Sequence, residues 1–117
     1  VTLGGETDRY VRAMRSSAGV AVFTADQDAP AGWVQAGRAA QRFCLAATAL
    51  GVRTAWVNQP VEVPGLREAF AAWLGIAPRR PDLVLRFGRG PELPPSLRRP
   101  VGDVLTGAEQ LAGWIAG

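Results

Sequence analysis

The sequence contains no histidine and no lysine, and it holds a single cysteine, Cys44. Without histidine, neither a Ser–His–Asp nor a Cys–His catalytic arrangement can be built within this chain. One cysteine excludes an internal disulfide and any multi-cysteine zinc site, and no metal is expected. Cys44 lies in the apolar stretch Phe43-Cys44-Leu45-Ala46-Ala47, where it reads as a small buried hydrophobe sooner than as a nucleophile. Long apolar runs are absent too. None approaches the roughly 20 residues that span a bilayer, so no membrane partner is expected. Val1 is not an initiator methionine, and Val1–Gly5 lacks a basic segment followed by an apolar one. The chain therefore reads as starting inside a longer protein.

All thirteen basic residues are arginine, and the net charge is +3. Guanidinium groups titrate far above neutrality, which is why so modest a charge gives a pI near 10.4. The preference for arginine and alanine points to a GC-rich bacterial genome as much as to a function. A nucleic-acid surface would cluster its basic residues on one element with aromatics between them. Here they are scattered in ones and twos, so nucleic acid is not an expected partner. With 48% hydrophobic and 20% charged residues over 117 positions, the chain has enough apolar material for one core and too little charge for disorder.

The patterning alternates between two periods. Glu6–Ser16 predicts a short helix, with Tyr10, Val11 and Met14 near one face. Ala18–Ala25 is a continuous apolar run of strand length, suited to a strand covered on both faces in the middle of a sheet. Asp26–Pro30 supplies turn chemistry and helix-start residues. Ala31–Leu50 then predicts a long helix, with Trp33, Ala36, Ala40, Phe43, Ala47 and Leu50 at three- and four-residue steps and Gly51 placed to end it. Its many small residues permit close packing, within the chain or across an interface with a partner. Arg53–Val57 predicts a strand broken by Asn58-Gln59-Pro60. Val63–Leu74 predicts a helix closed by Gly75, and Pro81–Gly88 a third strand. Arg89–Pro100 is too rich in proline and glycine for regular structure, and Gly107–Ala116 predicts a closing helix. The order is that of an α+β (α/β layered) domain with a short mixed sheet flanked by helices. Residues 1–117 read as one partial domain, with 89–101 as an extended Pro/Arg-rich tail.

Three segments have the composition of a site. Ala55–Pro60 ends a strand, where ligands of open α/β sheets sit. It carries the only asparagine, Asn58, and Pro60 disfavours helical backbone at Gln59; the plain alternative is a turn. Arg86-Phe87-Gly88-Arg89-Gly90-Pro91 allows close backbone approach at its glycines, but no helix follows, so it is no dinucleotide fingerprint. Pro94–Pro100 holds Arg98 and Arg99 between prolines, an arrangement suited to a phosphate bound through paired hydrogen bonds. Its alternative is a solvated arginine pair.

The series formed by Ala36–Phe43, Ala46–Gly51, Asn58–Pro64, Arg86–Gly90 and Ser96–Val101 resembles the C-terminal half of nitroreductase-family flavoproteins, in the divergent branch that includes Acg-like nitroreductases. The resemblance spans about Val20 to Leu105 and lies in the whole series. It implies a nitroreductase-like α+β fold, partial here, that binds FMN at the interface of a homodimer, with the long central helix packed across the dimer. It also implies that Val57, Asn58 and Gln59 face the flavin ring, and that Arg98 and Arg99 hold the flavin phosphate. The implied chemistry is NAD(P)H-dependent oxidoreduction: hydride passes from a nicotinamide to the flavin and on to a nitro or quinone-like acceptor. The flavin carries that chemistry, so no side chain is expected to be catalytic. A non-catalytic FMN-binding or sequestering protein is the alternative. Nothing in Val1–Gly19 matches the Arg-x-Ser-x-Arg segment with which members of the family begin. The compartment is unassigned: cytoplasmic by default, with an upstream twin-arginine export signal as the other possibility.

Overall fold

The computed structural model describes residues 3–100 and 103–104. In chain order the elements are α1 (Leu3–Arg15), β1 (Gly19–Ala25), α2 (Pro30–Ala49), β2 (Arg53–Trp56), α3 (Gln59–Glu62), α4 (Leu66–Leu74) and β3 (Arg80–Gly88). The α+β class read from the sequence is the observed one. The helix predicted over Gly107–Ala116 lies outside the described residues.

The three strands form one sheet in the order β1-β3-β2. Both pairings are antiparallel, so the mixed sheet expected from the element order is not what these strands make. The central position also differs from expectation. The apolar run of β1 predicted a middle strand, yet β1 is an edge of this sheet and Val20 is exposed. β3 is central instead, with Val84 and Leu85, which point to opposite faces, each about 1% exposed. A continuous apolar run shows that both faces of a strand are apolar, and says nothing of what lies beside it. Alternation in β3 hid the opposite fact, that both of its faces are covered.

Helices pack on the two faces. On one, Val57, Val61 and Val84 form a buried cluster, with Met14 of α1, Val22 of β1 and Phe70 of α4 against it. On the other, α2 lies across the sheet. Phe43 stands edge-on to Phe23 at 5.8 Å and to Phe87 at 5.4 Å between ring centres, and Ala36, Ala40 and Ala47 are buried. These alanines bring the helix backbone close to the strands, which is the physical use of its small residues. The other side of α2 leaves Val34 and Leu45 exposed.

Local chemistry fixes the helix ends. Pro30 starts α2, its fixed φ already helical and its missing N–H one that has no helical partner in any case. At the far end Gly51 takes a left-handed φ of 67°. There the Val52 N–H donates to the Ala47 carbonyl at 2.8 Å and the Gly51 N–H to the Thr48 carbonyl, the paired bonds of a Schellman motif. α4 stops the same way: Gly75 has φ 71° and Ile76 bonds back to Ala71.

The turn between β1 and α2 is locked to the start of β3. The register slips between Phe23 and Thr24, so that Asp82 has no partner residue in β1. The Asp82 carboxylate instead accepts the Ala25 N–H at 3.0 Å. Arg80 pairs with Asp28 and lies 3.2 Å from Asp82. Its guanidinium sits 5.7 Å over the Trp33 ring, whose Nε1–H donates to Asp28.

Candidate functional site

β2 hands over to α3 at Asn58. Trp56 is the last residue paired in the ladder, opposite Leu85, and the Val57 N–H donates to the Val84 carbonyl at 3.0 Å. The next bond is made by a side chain: the Val84 N–H donates to Asn58 Oδ1 at 2.8 Å. Asn58 has already turned into the helical region, with φ −77° and ψ −3°. Its carbonyl accepts the N–H groups of Val61 and Glu62 at 2.9 and 3.0 Å. One residue thus closes the strand and opens the helix.

This leaves two adjacent backbone donors. The N–H groups of Asn58 and Gln59 meet no acceptor among the described residues. The Val57 N–H, by contrast, is engaged in the sheet and its side chain is buried. Gln59 is exposed, and its Nε2 donates to the Tyr10 hydroxyl at 3.1 Å, which ties the junction to α1. The Trp56 ring beside it is half exposed. The junction therefore offers a rigid pair of donors next to an exposed aromatic face, a combination suited to a planar, hydrogen-bond-accepting ligand.

Asn58-Gln59-Pro60 ends the strand as expected, but it also starts a short helix, with Gln59 helical although Pro60 predicts an extended backbone there. The residues that could have revealed it are Pro60 at the helix start and Glu62 within its first turn, both N-terminal preferences. Arg98 and Arg99 lie on the stretch 89–100, which has no helix or strand and is exposed throughout. Neither makes a hydrogen bond or ion pair among the described residues, and the structure does not join them to the β2–α3 junction.

Past α3 a cavity of about 740 Å³ opens between the α3–α4 connection and the approach to β3. Arg67, Arg79 and Arg80 face Asp28, Glu62 and Glu68 around it, so its lining has no net sign. Arg67 donates to the Val61 carbonyl and thereby braces α3 from below. No described helix is long and apolar enough to cross a membrane.

Comparison with known proteins identifies the family. The family model described as "Nitroreductase family" matches residues 5–89. Two proteins of Mycobacterium tuberculosis are each 34% identical over 82 residues: "Putative NAD(P)H nitroreductase Rv3131" (strain ATCC 25618 / H37Rv) and "Putative NAD(P)H nitroreductase MT3217" (strain CDC 1551 / Oshkosh). The match covers 67% of this chain and 24% of each relative, so the chain spans about a quarter of the length of the curated relatives it matches. No solved structure matches it significantly. With the family match covering α1 to the end of β3, the chain belongs to the nitroreductase family.

Proposed function

We propose that this chain is part of a flavin-dependent oxidoreductase of nitroreductase type, which takes reducing equivalents from NAD(P)H and passes them to a nitro or quinone-like acceptor. The observation that carries the reading is the pair of unengaged N–H groups at Asn58 and Gln59, held in place by the Asn58–Val84 bond. Donors fixed before the ligand arrives need no reorganisation when charge develops on the group they face. Family membership and the names of the relatives support the same reading.

The residues present fit a flavin in part. Asn58 and Gln59 supply donors for ring acceptors, Val57 holds the strand end from which they project, and Trp56 offers an apolar face beside them. Arg98 and Arg99 supply cation for the phosphate of FMN, each able to bind through two parallel hydrogen bonds. Bound flavin supplies the electron-transfer chemistry, and this chain supplies binding and orientation. A homodimer completes the proposal. The exposed Val34 and Leu45 on the outer side of α2 are apolar surface that a second subunit would cover.

The test uses the full-length protein. Purification should give yellow protein whose released flavin is FMN, and NADH or NADPH should bleach it under anaerobic conditions. Flavin that is held but reduced by neither nicotinamide would replace the oxidoreductase reading with the sequestering one. Arg98→Ala with Arg99→Ala should weaken FMN retention by roughly tenfold or more, from the loss of charge-assisted bonds; unchanged affinity would remove those two residues from the site.

A further inference from the structure

At the end of the sheet where β3 finishes, a cavity of about 410 Å³ lies between the C-terminus of α1, the start of β2 and the first residues after β3. Its polar lining is one-sided. Arg53, Arg86 and Arg89 contribute three guanidiniums, and among the described residues no carboxylate-bearing one lines it. The register explains the convergence. Arg53 pairs with Gly88 and Ala55 with Arg86, so Arg53 and Arg86 lie diagonally on one face of neighbouring strands. Two like charges so placed repel each other.

The structure does little to relieve that repulsion. Arg86 is half-buried, and among the described residues the one polar contact of its guanidinium is Ser17 Oγ at 3.5 Å. Neither Arg86 nor Arg89 has a carboxylate within ion-pairing distance among the described residues. Arg53 reaches Glu92 at 3.6 Å, with both groups mostly in solvent, a pair of little energetic weight. A sheltered guanidinium without a counter-charge is unfavourable. It is retained at no cost only when an anion arrives to meet it.

We propose that this cavity is a binding site for a phosphoryl group, separate from the Arg98–Arg99 pair. Guanidinium forks match the oxygens of a tetrahedral dianion. The nearby hydroxyls are engaged within the chain, Ser16 and Ser17 donating to the Ala13 carbonyl and Thr54 to Cys44 Sγ, so the arginines carry the site. The cavity falls within the size range of small-molecule sites, so it admits a phosphate carried on a larger ligand. On the proposed function such a group has two sources, the 2′-phosphate of a nicotinamide dinucleotide or the phosphate of FMN, the second of which would take that phosphate away from Arg98 and Arg99. The site itself stands on its arginines, and only the source of the phosphoryl group rests on the proposed function.

The experiment measures inorganic phosphate binding to the full-length protein and to Arg86→Gln, by calorimetry and by the phosphate-induced rise in Tm at constant ionic strength. Phosphate should raise the Tm of the unsubstituted protein. Arg86→Gln should weaken phosphate roughly 10- to 100-fold, the range for losing one charge-assisted contact. Without phosphate, the variant should be at least as stable as the parent, because an unpaired charge has been removed. The exposed Arg38→Gln on α2 serves as a charge control and should bind phosphate normally. Parallel titrations assign the source. A loss for FMN but not riboflavin names the flavin phosphate, and a loss for NADPH but not NADH names the nicotinamide 2′-phosphate. Phosphate binding that is absent, or equal in the parent and Arg86→Gln, overturns the proposal. So does an equal loss in Arg38→Gln.

Discussion

Replacing Asn58 by alanine tests the centre of the β2–α3 junction. Val84 is among the most deeply buried residues in the protein, and its N–H donates to Asn58 Oδ1 at 2.8 Å. The Val84 carbonyl, on the same side of β3, is already taken by Val57. Alanine at position 58 removes the acceptor and brings no water in its place, so the N–H is left buried and unpaired. That penalty is about 1–3 kcal/mol. At roughly 4–8 °C per kcal/mol for a domain of this size, the Tm should fall by about 4–24 °C. Asn58→Asp keeps an oxygen where Oδ1 stands and should retain most of the stability. Urea unfolding gives the free energies, and amide exchange by NMR reads the Val84 N–H directly, which should lose protection in the alanine variant and keep it in the aspartate one. Equal stability of the two variants, or an unchanged Val84 exchange rate in Asn58→Ala, would refute the reasoning.

Other substitutions probe the packing that positions the junction. A methyl group added at Gly32 would lie 2.2 Å from the Gln27 carbonyl oxygen, a backbone atom that cannot swing aside, so Gly32→Ala should destabilise by about 1–3 kcal/mol in denaturant titration. Phe43→Leu keeps an apolar side chain but loses both edge-on ring contacts, and should lower stability by about 1–3 kcal/mol, read the same way. Asp82→Ala removes the acceptor of the Ala25 N–H and one counter-charge of Arg80; about 1–3 kcal/mol should go with the unpaired donor alone, and Asp82→Asn should restore part of it.

Local features of the fold were open to reading from the sequence. The long helix, its start at Pro30 and its end at Gly51 follow from residue chemistry within a few positions of each boundary. What depended on partners was hidden. The apolar run of β1 gave no sign that β3, with Asp82 and Arg86 in its pattern, would be the strand between the other two. Asn58 looked like punctuation because the bond that gives it a structural task runs to Val84, 26 residues away. The arginine-lined cavity was out of reach for the same reason. Arg53, Arg86 and Ser17 are unremarkable where each stands, and only the register of β2 against β3 and the end of α1 bring them together. Arg98 and Arg99, by contrast, were conspicuous in the sequence because they are adjacent, and they stand exposed in the structure.

The central strand has a further consequence for assembly. On either side of the same end of the sheet, the outermost ladder bond is completed by a short side chain: Asn58 receives the Val84 N–H, and Asp82 receives the Ala25 N–H. A sheet is usually an open template, because the rows of donors at its margins accept any extended segment that comes near. Here the donors that would lengthen the two existing pairings are already occupied, as capping residues occupy those of a helix. Further strand growth is closed off at that end. The two oxygens thus end the β3–β2 and β1–β3 pairings at that end, and the outer margins of β1 and β2 are left as the places where a further strand can add.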